Sequence, residues 1–308
     1  MTLPLFSYST TVVCVDDDAL FLKTISQLLS EQYSVKSIGS ALESSDFFQR
    51  YTPLLPNFNF MRGCTEIEKY DMLKHMPVDL NANALKEIRN NDLRNAEITV
   101  LVTDYNMPEM NGIELCRKLQ SFPMKKVLLT GEADHQQAVA AFNEGIIDGF
   151  IRKDSPSIVD DILSQLKKLT REYFVENSMQ LLAHLETDYT LPFSDPKFVA
   201  FFNDWCIQNR ICEHYLIDKL GNLLLIDDQG NESYFVVHTE RTLNNFIELH
   251  SDDKEAADFI RAVKLREKIP FFGEGVEGWE LNLEHWPMCF YSPQILEGAE
   301  RYYWTVTE

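Results

Sequence analysis

The 308-residue sequence predicts an α/β fold with a doubly wound, five-stranded parallel sheet that carries an insertion, followed by an α+β domain with an antiparallel sheet. Two observations predict this arrangement. In the first half, short apolar patterns alternate with helical patterns, which is typical of consecutive βα units. After residue 210, three strand patterns follow one another with only short turns between them, which is typical of an antiparallel meander.

The strand patterns of the first half are short, apolar and rich in β-branched residues, as expected for strands that are buried on both faces. They cover residues 11–15, 33–38, 98–103, 126–130 and 149–152. Apolar residues at helical spacing cover residues 20–29, 113–119 and 136–143. A further helix begins after Ser155-Pro156, since serine suits the N-cap and proline the first turn. This order predicts a parallel sheet with helices on both faces.

In the second half, the pair Asp195-Pro196 begins a helix in the same way. Strand patterns cover residues 214–218, 223–227 and 233–238, and a last strand covers residues 302–306. The turns between the first three strands contain Gly and Asn, the residues that tolerate a positive φ. Helices are predicted over residues 243–250 and 255–268. The elements predict one antiparallel sheet with helices.

Polar side chains end four of the five parallel strands. They are Asp16 and Asp17, Asp104, Thr130 and Lys153. The carboxyl ends of parallel strands lie at one edge of the sheet, so these groups should converge. Clustered carboxylates repel one another and need a cation, and hard oxygen ligands suit Mg²⁺. A hydroxyl and an ammonium group beside them could hold a phosphoryl group. Each residue taken singly is equally compatible with an ordinary strand end or a surface position.

Four motifs together resemble the receiver domain of two-component systems, the CheY-like fold. They are Val15-Asp16-Asp17, Asp104-Tyr105-Asn106-Met107-Pro108 with Gly112, Leu129-Thr130-Gly131, and Phe150-Ile151-Arg152-Lys153. The resemblance implies a response regulator of a phosphorelay, in which a sensor histidine kinase or a phosphotransfer protein phosphorylates Asp104. It also implies Mg²⁺ as the cofactor, held by Asp16, Asp17, Asp104 and the backbone carbonyl of Asn106.

The resemblance assigns roles to three further residues. Thr130 would contact the phosphoryl oxygens, and Lys153 would pair with the acyl phosphate. Phe150 occupies the position of an aromatic switch, whose ring moves inward when Thr130 engages the phosphate. On this view the receiver catalyses only its own phosphorylation and dephosphorylation, and the protein is not otherwise an enzyme.

The chain between the second and third predicted strands is about twice as long as the resemblance requires. We therefore predict a receiver domain over residues 1–172 with an insertion over about 50–97, a helical linker over 173–195, and an output domain over 196–308. An insertion of this length could cover the site, contact the kinase or contact the second domain. A neutral surface insertion is an equally open interpretation.

The last receiver helix carries an apolar stripe with heptad spacing. Its members are Val159, Ile162, Leu166, Leu169 and Tyr173. One hypothesis is an extended helix that joins the domains and forms a homodimer through this seam. The alternative is that the stripe packs on the receiver's own sheet, because two heptads do not define a coiled coil.

Charge and composition narrow the range of partners and locations. The formal charge is −20 and the pI is near 4.7, so a nucleic acid or an anionic membrane is an unfavourable partner. No apolar run reaches bilayer length, and the N-terminus lacks the pattern of a signal peptide, so we expect a cytoplasmic protein. The six cysteines form no C-x-x-C motif and are expected to be reduced thiols.

No known output signature occurs in the second half. His214, His238 and His285 lack the spacing of metal ligands. The aromatic residues between 271 and 304 suit a core first, and otherwise a pocket or an interface. We therefore predict an atypical output domain that binds a protein or a small ligand and does not bind DNA. Quorum sensing is one context in which such regulators occur. The alternative is a receiver-regulated enzyme with an unrecognised C-terminal activity.

Overall fold

The computed structural model describes residues 2–55, 61–62, 79–80, 82–182, 192–251, 256–274 and 283–308. The chain divides into two compact units. The first unit comprises residues 8–58 and 90–177, and the second unit comprises residues 1–7, 59–89 and 178–308. Parts of the predicted insertion (56–60, 63–78 and 81), of the predicted linker (183–191) and the start of the helix predicted at 255 lie outside the described residues.

The described strands and helices are numbered along the chain. The strands are β1 (Phe6–Ser7), β2 (Thr11–Val15), β3 (Ser34–Ile38), β4 (Met61–Arg62), β5 (Asp79–Leu80), β6 (Ile98–Asp104), β7 (Lys125–Thr130), β8 (Gly149–Arg152), β9 (Ile211–Leu216), β10 (Leu223–Asp227), β11 (Glu232–Thr239), β12 (Ile269–Pro270), β13 (Phe290–Tyr291), β14 (Gln294–Glu297) and β15 (Arg301–Thr307). The helices are α1 (Ala19–Leu29), α2 (Ala41–Arg50), α3 (Ala82–Arg89), α4 (Gly112–Lys118), α5 (His135–Asn143), α6 (Ile158–Leu182), α7 (Pro196–Gln208), α8 (Glu240–Leu249) and α9 (Ala257–Lys264).

The first unit is built on a five-stranded sheet with the order β3-β2-β6-β7-β8. Every neighbouring pair is parallel, which confirms the predicted doubly wound α/β fold. All seven residues of β6 and all six of β7 are buried. This explains why each strand contains three consecutive apolar residues, at 100–102 and 127–129, in place of an alternating pattern.

Alternate residues of these strands point to opposite faces of the sheet, and each face has its own core. One core includes Val13, Leu101 and Leu128 with residues of α2, α4 and α5. The other includes Val12 and Val102 with residues of α1 and α6. The two layers of helices hold the strand ends in a fixed relation to one another.

The apolar stripe of α6 belongs to the second of these cores. Ile162, Leu166 and Leu169 are at most 1% exposed and pack against the parallel sheet. The hydroxyl of Tyr173, which is also buried, donates a hydrogen bond to Glu97 just before β6. The stripe is therefore a core face of the first unit. The interpretation of these residues as a dimer seam is wrong, because the side chains that would form it already pack on their own sheet.

The second unit is built on a six-stranded antiparallel sheet with the order β1-β9-β10-β11-β15-β14. The predicted meander forms β9 to β11, and the predicted last strand, β15, pairs with β11. An aromatic face of α7 packs on this sheet, where Phe198 and Phe202 contact Phe235. These elements confirm the predicted α+β arrangement. None of the described helices combines the length and the apolar character that crossing a bilayer requires.

Two segments that the sequence analysis counted with the receiver are part of the second unit. In β1, Phe6 pairs with Tyr215 of β9. In α3, which lies within the predicted insertion, Leu85 and Ile88 are buried, and Arg89 forms an ion pair with Glu274 at 3.1 Å. Residues 1–7 and 82–89 therefore differ in placement from the predicted domain boundaries. The strand β1 could not be predicted because two residues are too few to show a pattern. Its partner strand also lies more than 200 positions away.

Candidate acidic site at the strand ends

The carboxyl ends of β2, β6, β7 and β8 bring the predicted polar residues together. Asp104 is the last residue of β6 and Thr130 is the last residue of β7. Carboxylate oxygens of Asp16, Asp17 and Asp104 all lie within 4.8 Å of one another. Asp16 and Asp104 are buried, whereas Asp17 is exposed. The site therefore has one solvent-facing and two enclosed carboxylates.

Lys153 bridges the two enclosed carboxylates. Its Nζ lies 2.7 Å from Oδ2 of Asp16 and 3.3 Å from Oδ1 of Asp104. The backbone N–H of Lys153 donates to the carbonyl of Thr130 at 2.8 Å, which fixes the chain immediately after β8. The ammonium group is thus held over the centre of the site by both its side chain and its backbone.

Burial and charge shift the proton affinities of this pair. Burial raises the pKa of the Asp104 carboxyl above its ordinary value, and the neighbouring Lys153 offsets part of that effect. Burial alone would lower the pKa of the Lys153 ammonium, but its bond to Asp16 and the charge of Asp104 outweigh burial and raise it. Lys153 therefore stays charged near neutral pH.

The residues present fit a divalent cation. Three carboxylates and one ammonium leave a formal charge of −2 in the site. At the separation observed, two like charges repel by roughly 3 kcal/mol at an effective dielectric of about 20. Mg²⁺ would neutralise this charge, and carboxylate oxygens are the ligands that it prefers. Asp16, Asp17 and Asp104 are the side chains that could hold it.

The backbone around Asp104 leaves no space for a side chain at Gly112. A Cβ atom on Gly112 would lie 2.2 Å from the carbonyl oxygen of Asp104 and 2.7 Å from Cδ1 of Leu128. The N–H of Gly112 donates to the carbonyl of Tyr105 at 3.0 Å, and that of Tyr105 donates to Leu129 at 2.9 Å. The loop after β6 therefore folds back directly onto the residue that carries the carboxylate.

Thr130 and Phe150 lie where a bound group could influence them. Oγ1 of Thr130 is fully buried and has no hydrogen-bond partner among the described residues. An unpaired buried hydroxyl is unfavourable and is expected to gain from a bound acceptor. Phe150, two residues before the end of β8, is half-buried and contacts His135 and Phe142 of α5.

Two loop residues near the acidic cluster, Asn106 and Asp18, form hydrogen bonds of their own. The side chain of Asn106 is exposed, and its Nδ2 donates to Oδ2 of Asp134 at 2.7 Å. Asp18 caps α1 by accepting hydrogen bonds from the N–H groups of Leu20 and Phe21. Sequence reasoning missed Asp134, because its partner lies 28 positions away.

Two of the three histidines named in the sequence of the second unit, His214 and His238, lie against backbone carbonyls. Nε2 of His214 lies 3.1 Å from the carbonyl of Pro4, and Nε2 of His238 lies 2.8 Å from that of Pro270. Burial lowers the pKa of both imidazoles to about 4. Both rings therefore serve as neutral hydrogen-bonding groups in the core of the sheet.

Comparisons with known proteins agree with this geometry. The family described as the response regulator receiver domain matches residues 57–167. The chain is 32% identical over 73 residues to chemotaxis protein CheY1 of Helicobacter pylori and 29% identical over 77 residues to a CheY homologue of Campylobacter jejuni. These matches cover 22% and 24% of this chain, and each spans 59% of the relative's own length.

A solved structure matches the whole chain. The response regulator LqsR of Legionella pneumophila is 28% identical, with a TM-score of 0.80, and the match covers 100% of this chain and 90% of that one. The family match begins after Asp16 and Asp17, so it is the fold that joins these two residues to Asp104. Residues 57–167 thus match the response regulator receiver domain, and the fold of the whole chain is similar to that of a solved response regulator.

Proposed function

We propose that the protein is a response regulator that accepts a phosphoryl group on Asp104 from a sensor histidine kinase or a phosphotransfer protein. One observation carries the proposal. A partly enclosed carboxylate lies beside two further carboxylates, with a lysine ammonium 3.3 Å away. This combination suits transfer of a phosphoryl group to the carboxylate of Asp104.

The proposed reaction is a single displacement at phosphorus. A carboxylate oxygen of Asp104 forms a bond to phosphorus while the phosphorus–nitrogen bond of the phosphohistidine breaks, and the imidazole leaves. Lys153 places its positive charge beside the developing acyl phosphate. Bound Mg²⁺ would offset negative charge on the phosphoryl oxygens. Asp16, Asp17 and Asp104, with the carbonyl of Asn106, are the proposed ligands.

The proposed response to phosphorylation begins at Thr130. Its unpaired hydroxyl would donate to a phosphoryl oxygen, and this bond would draw the end of β7 toward Asp104. Space vacated on that side would admit the ring of Phe150, which is half-buried against α5. The surface formed by α5 and β8 would then differ between the two states.

We propose that the second unit acts by binding a protein or a small ligand and that it does not bind DNA. The protein's formal charge of −20 supports this, because the phosphate backbone of DNA would be repelled. The receiver would then be catalytic only toward its own phosphorylation and dephosphorylation. The competing proposal, an enzyme regulated by the receiver, would need convergent polar groups in a pocket of the second unit.

The proposed function is tested with acetyl phosphate and Mg²⁺, followed by intact mass measurement and light scattering. We expect one added phosphoryl group on the wild type and none on Asp104→Asn. Phosphorylation of the Asp104→Asn variant to the same extent would refute Asp104 as the acceptor. A change in oligomer mass that depends on Asp104 would support dimerisation through a surface other than the buried stripe of α6.

A further inference from the structure

An aromatic ring covers the ammonium group of Lys153 in addition to its two carboxylate partners. Nζ of Lys153 lies 4.5 Å from the centroid of the Phe21 ring. At this distance an ammonium group is attracted to the ring face by the quadrupole of the π system. The lysine is therefore bounded by Asp16 and Asp104 and by Phe21.

The position of Phe21 is fixed by the same segment that carries the carboxylates. Asp18 accepts hydrogen bonds from the N–H groups of Leu20 and Phe21, at 2.9 and 3.0 Å. Its own N–H donates to Oδ1 of Asp16 at 2.9 Å. The turn that orients the Asp16 carboxylate thus also sets the first turn of α1, and with it the ring of Phe21.

We propose that Phe21 is a positioning residue for Lys153 during phosphoryl transfer, which rests on the proposed function of Asp104. The nearest partner of the lysine is Asp16, which is also a proposed ligand of the cation. A carboxylate bound to a cation attracts an ammonium group less strongly. The ring of Phe21 does not compete for the cation, so it keeps the long, flexible side chain of Lys153 beside Asp104.

Two substitutions of Phe21 distinguish the effect of its aromatic ring face from the effect of apolar volume alone. Phe21→Leu keeps an apolar side chain in the first turn of α1 but removes the quadrupole, whereas Phe21→Tyr keeps it. The chain also offers a matched control. Nζ of Lys36 lies 4.7 Å from the ring of Phe47 on α2, so Phe47→Leu removes a contact of the same kind that does not involve the site.

The first test measures the rate of phosphorylation by acetyl phosphate in the full-length protein. We expect Phe21→Leu to slow the reaction roughly threefold to tenfold, Phe21→Tyr to retain most of the rate, and Phe47→Leu to leave it unchanged. In a Lys153→Met background, Phe21→Leu should cause no further loss, because the group that it positions is absent. Equal losses in the two backgrounds would overturn the proposal.

The second test observes the lysine directly, by NMR of protein with ¹³C-labelled lysine side chains. The ε-methylene signal that disappears in Lys153→Met should be shifted by the ring current of Phe21 and should lose this shift in Phe21→Leu. An unshifted signal in the wild type would overturn the proposal even if the rates agreed. Failure of the wild type to be phosphorylated would instead refute the proposed function, and the NMR result would still decide the position of the ring.

The affinity for Mg²⁺ distinguishes positioning from structural damage. We expect Phe21→Leu to bind Mg²⁺ as the wild type does, because Asp16, Asp17 and Asp104 remain in place. A parallel loss of Mg²⁺ affinity would show that Phe21 supports the acidic residues themselves, and the assignment to Lys153 would then be wrong.

Discussion

Replacing Gly112 with alanine tests how closely the loop after β6 is packed on Asp104. The new Cβ would lie 2.2 Å from the Asp104 carbonyl oxygen and 2.7 Å from Leu128 Cδ1. Overpacking of this kind costs about 1–3 kcal/mol, whereas exchange of glycine for alanine in a helix gains up to about 1 kcal/mol. The closest atom belongs to the backbone and cannot rotate away. We therefore expect a net loss of about 2 kcal/mol in the stability of the first unit, with slower phosphorylation of Asp104.

Gly39 provides the matched control. A Cβ atom on Gly39 would meet nothing within 4 Å, so its replacement by alanine should change stability only slightly. Restricting the unfolded chain could even stabilise the protein by about 0.5 kcal/mol. The comparison thus isolates the close approach from the general effect of removing a glycine.

The two units can be followed separately because of where the tryptophans lie. All four occur at or after residue 205, so tryptophan fluorescence reports on the second unit. Hydrogen exchange of peptides from β6 and β7, measured by mass spectrometry, reports on the first. We expect faster exchange in Gly112→Ala than in Gly39→Ala. Equal exchange and equal phosphorylation rates in the two variants would refute the close-packing argument.

Three further outcomes are expected. Thr130→Val should stabilise the unphosphorylated first unit by up to about 1 kcal/mol, measured by hydrogen exchange, because it removes an unpaired buried hydroxyl. The same change should slow phosphorylation, because that hydroxyl is the proposed donor to the phosphoryl group. In the folded protein the pKa of His214 and of His238 is lowered to about 4, so the unfolded chain takes up protons first as the pH falls below about 6.5. The free energy of unfolding of the second unit, followed by tryptophan fluorescence, should therefore fall by about 2 kcal/mol per histidine between about pH 7 and pH 5. Asp195→Ala should destabilise the second unit by about 3 kcal/mol in urea unfolding, because it removes the N-cap of α7 and the acceptor for Tyr302, whereas a loss below about 1 kcal/mol would contradict that role.

The sequence predicted those parts of the site that depend on strand ends. An apolar strand pattern locates the region where its strand ends, and a parallel sheet brings such ends to one edge. Asp16, Asp104, Thr130 and Lys153 could therefore be grouped although up to 137 positions separate them. Their positions follow from local patterns, whereas their chemical roles remain proposals that phosphorylation experiments test.

Contacts that depend on packing across the chain could not be predicted in this way. Phe21 reads as one apolar residue of an amphipathic helix, and nothing local shows that its ring faces Lys153. Gly112 reads as a turn glycine, although its missing side chain matters because of the Asp104 carbonyl. The stripe of α6 was ambiguous because heptad spacing and a core-facing helix share the same periodicity over two heptads.

The second unit is assembled from three separate segments of the chain, and this limits which fragments of the protein can be studied alone. A fragment that begins at residue 178 would lack Leu3, Leu5 and Phe6 near the N-terminus and Leu85 and Ile88 of α3, all of which are at most 2% exposed. Burial of five such side chains contributes about 7–15 kcal/mol, which equals the net stability of a typical domain. Because these residues precede and interrupt the first unit in the chain, the antiparallel sheet of the second unit depends on segments on both sides of the first unit. The effect of phosphorylating Asp104 on the second unit should therefore be measured in the full-length protein. There, tryptophan fluorescence reports on the second unit alone, so that a change in this unit can be distinguished from a change in the stability of the first.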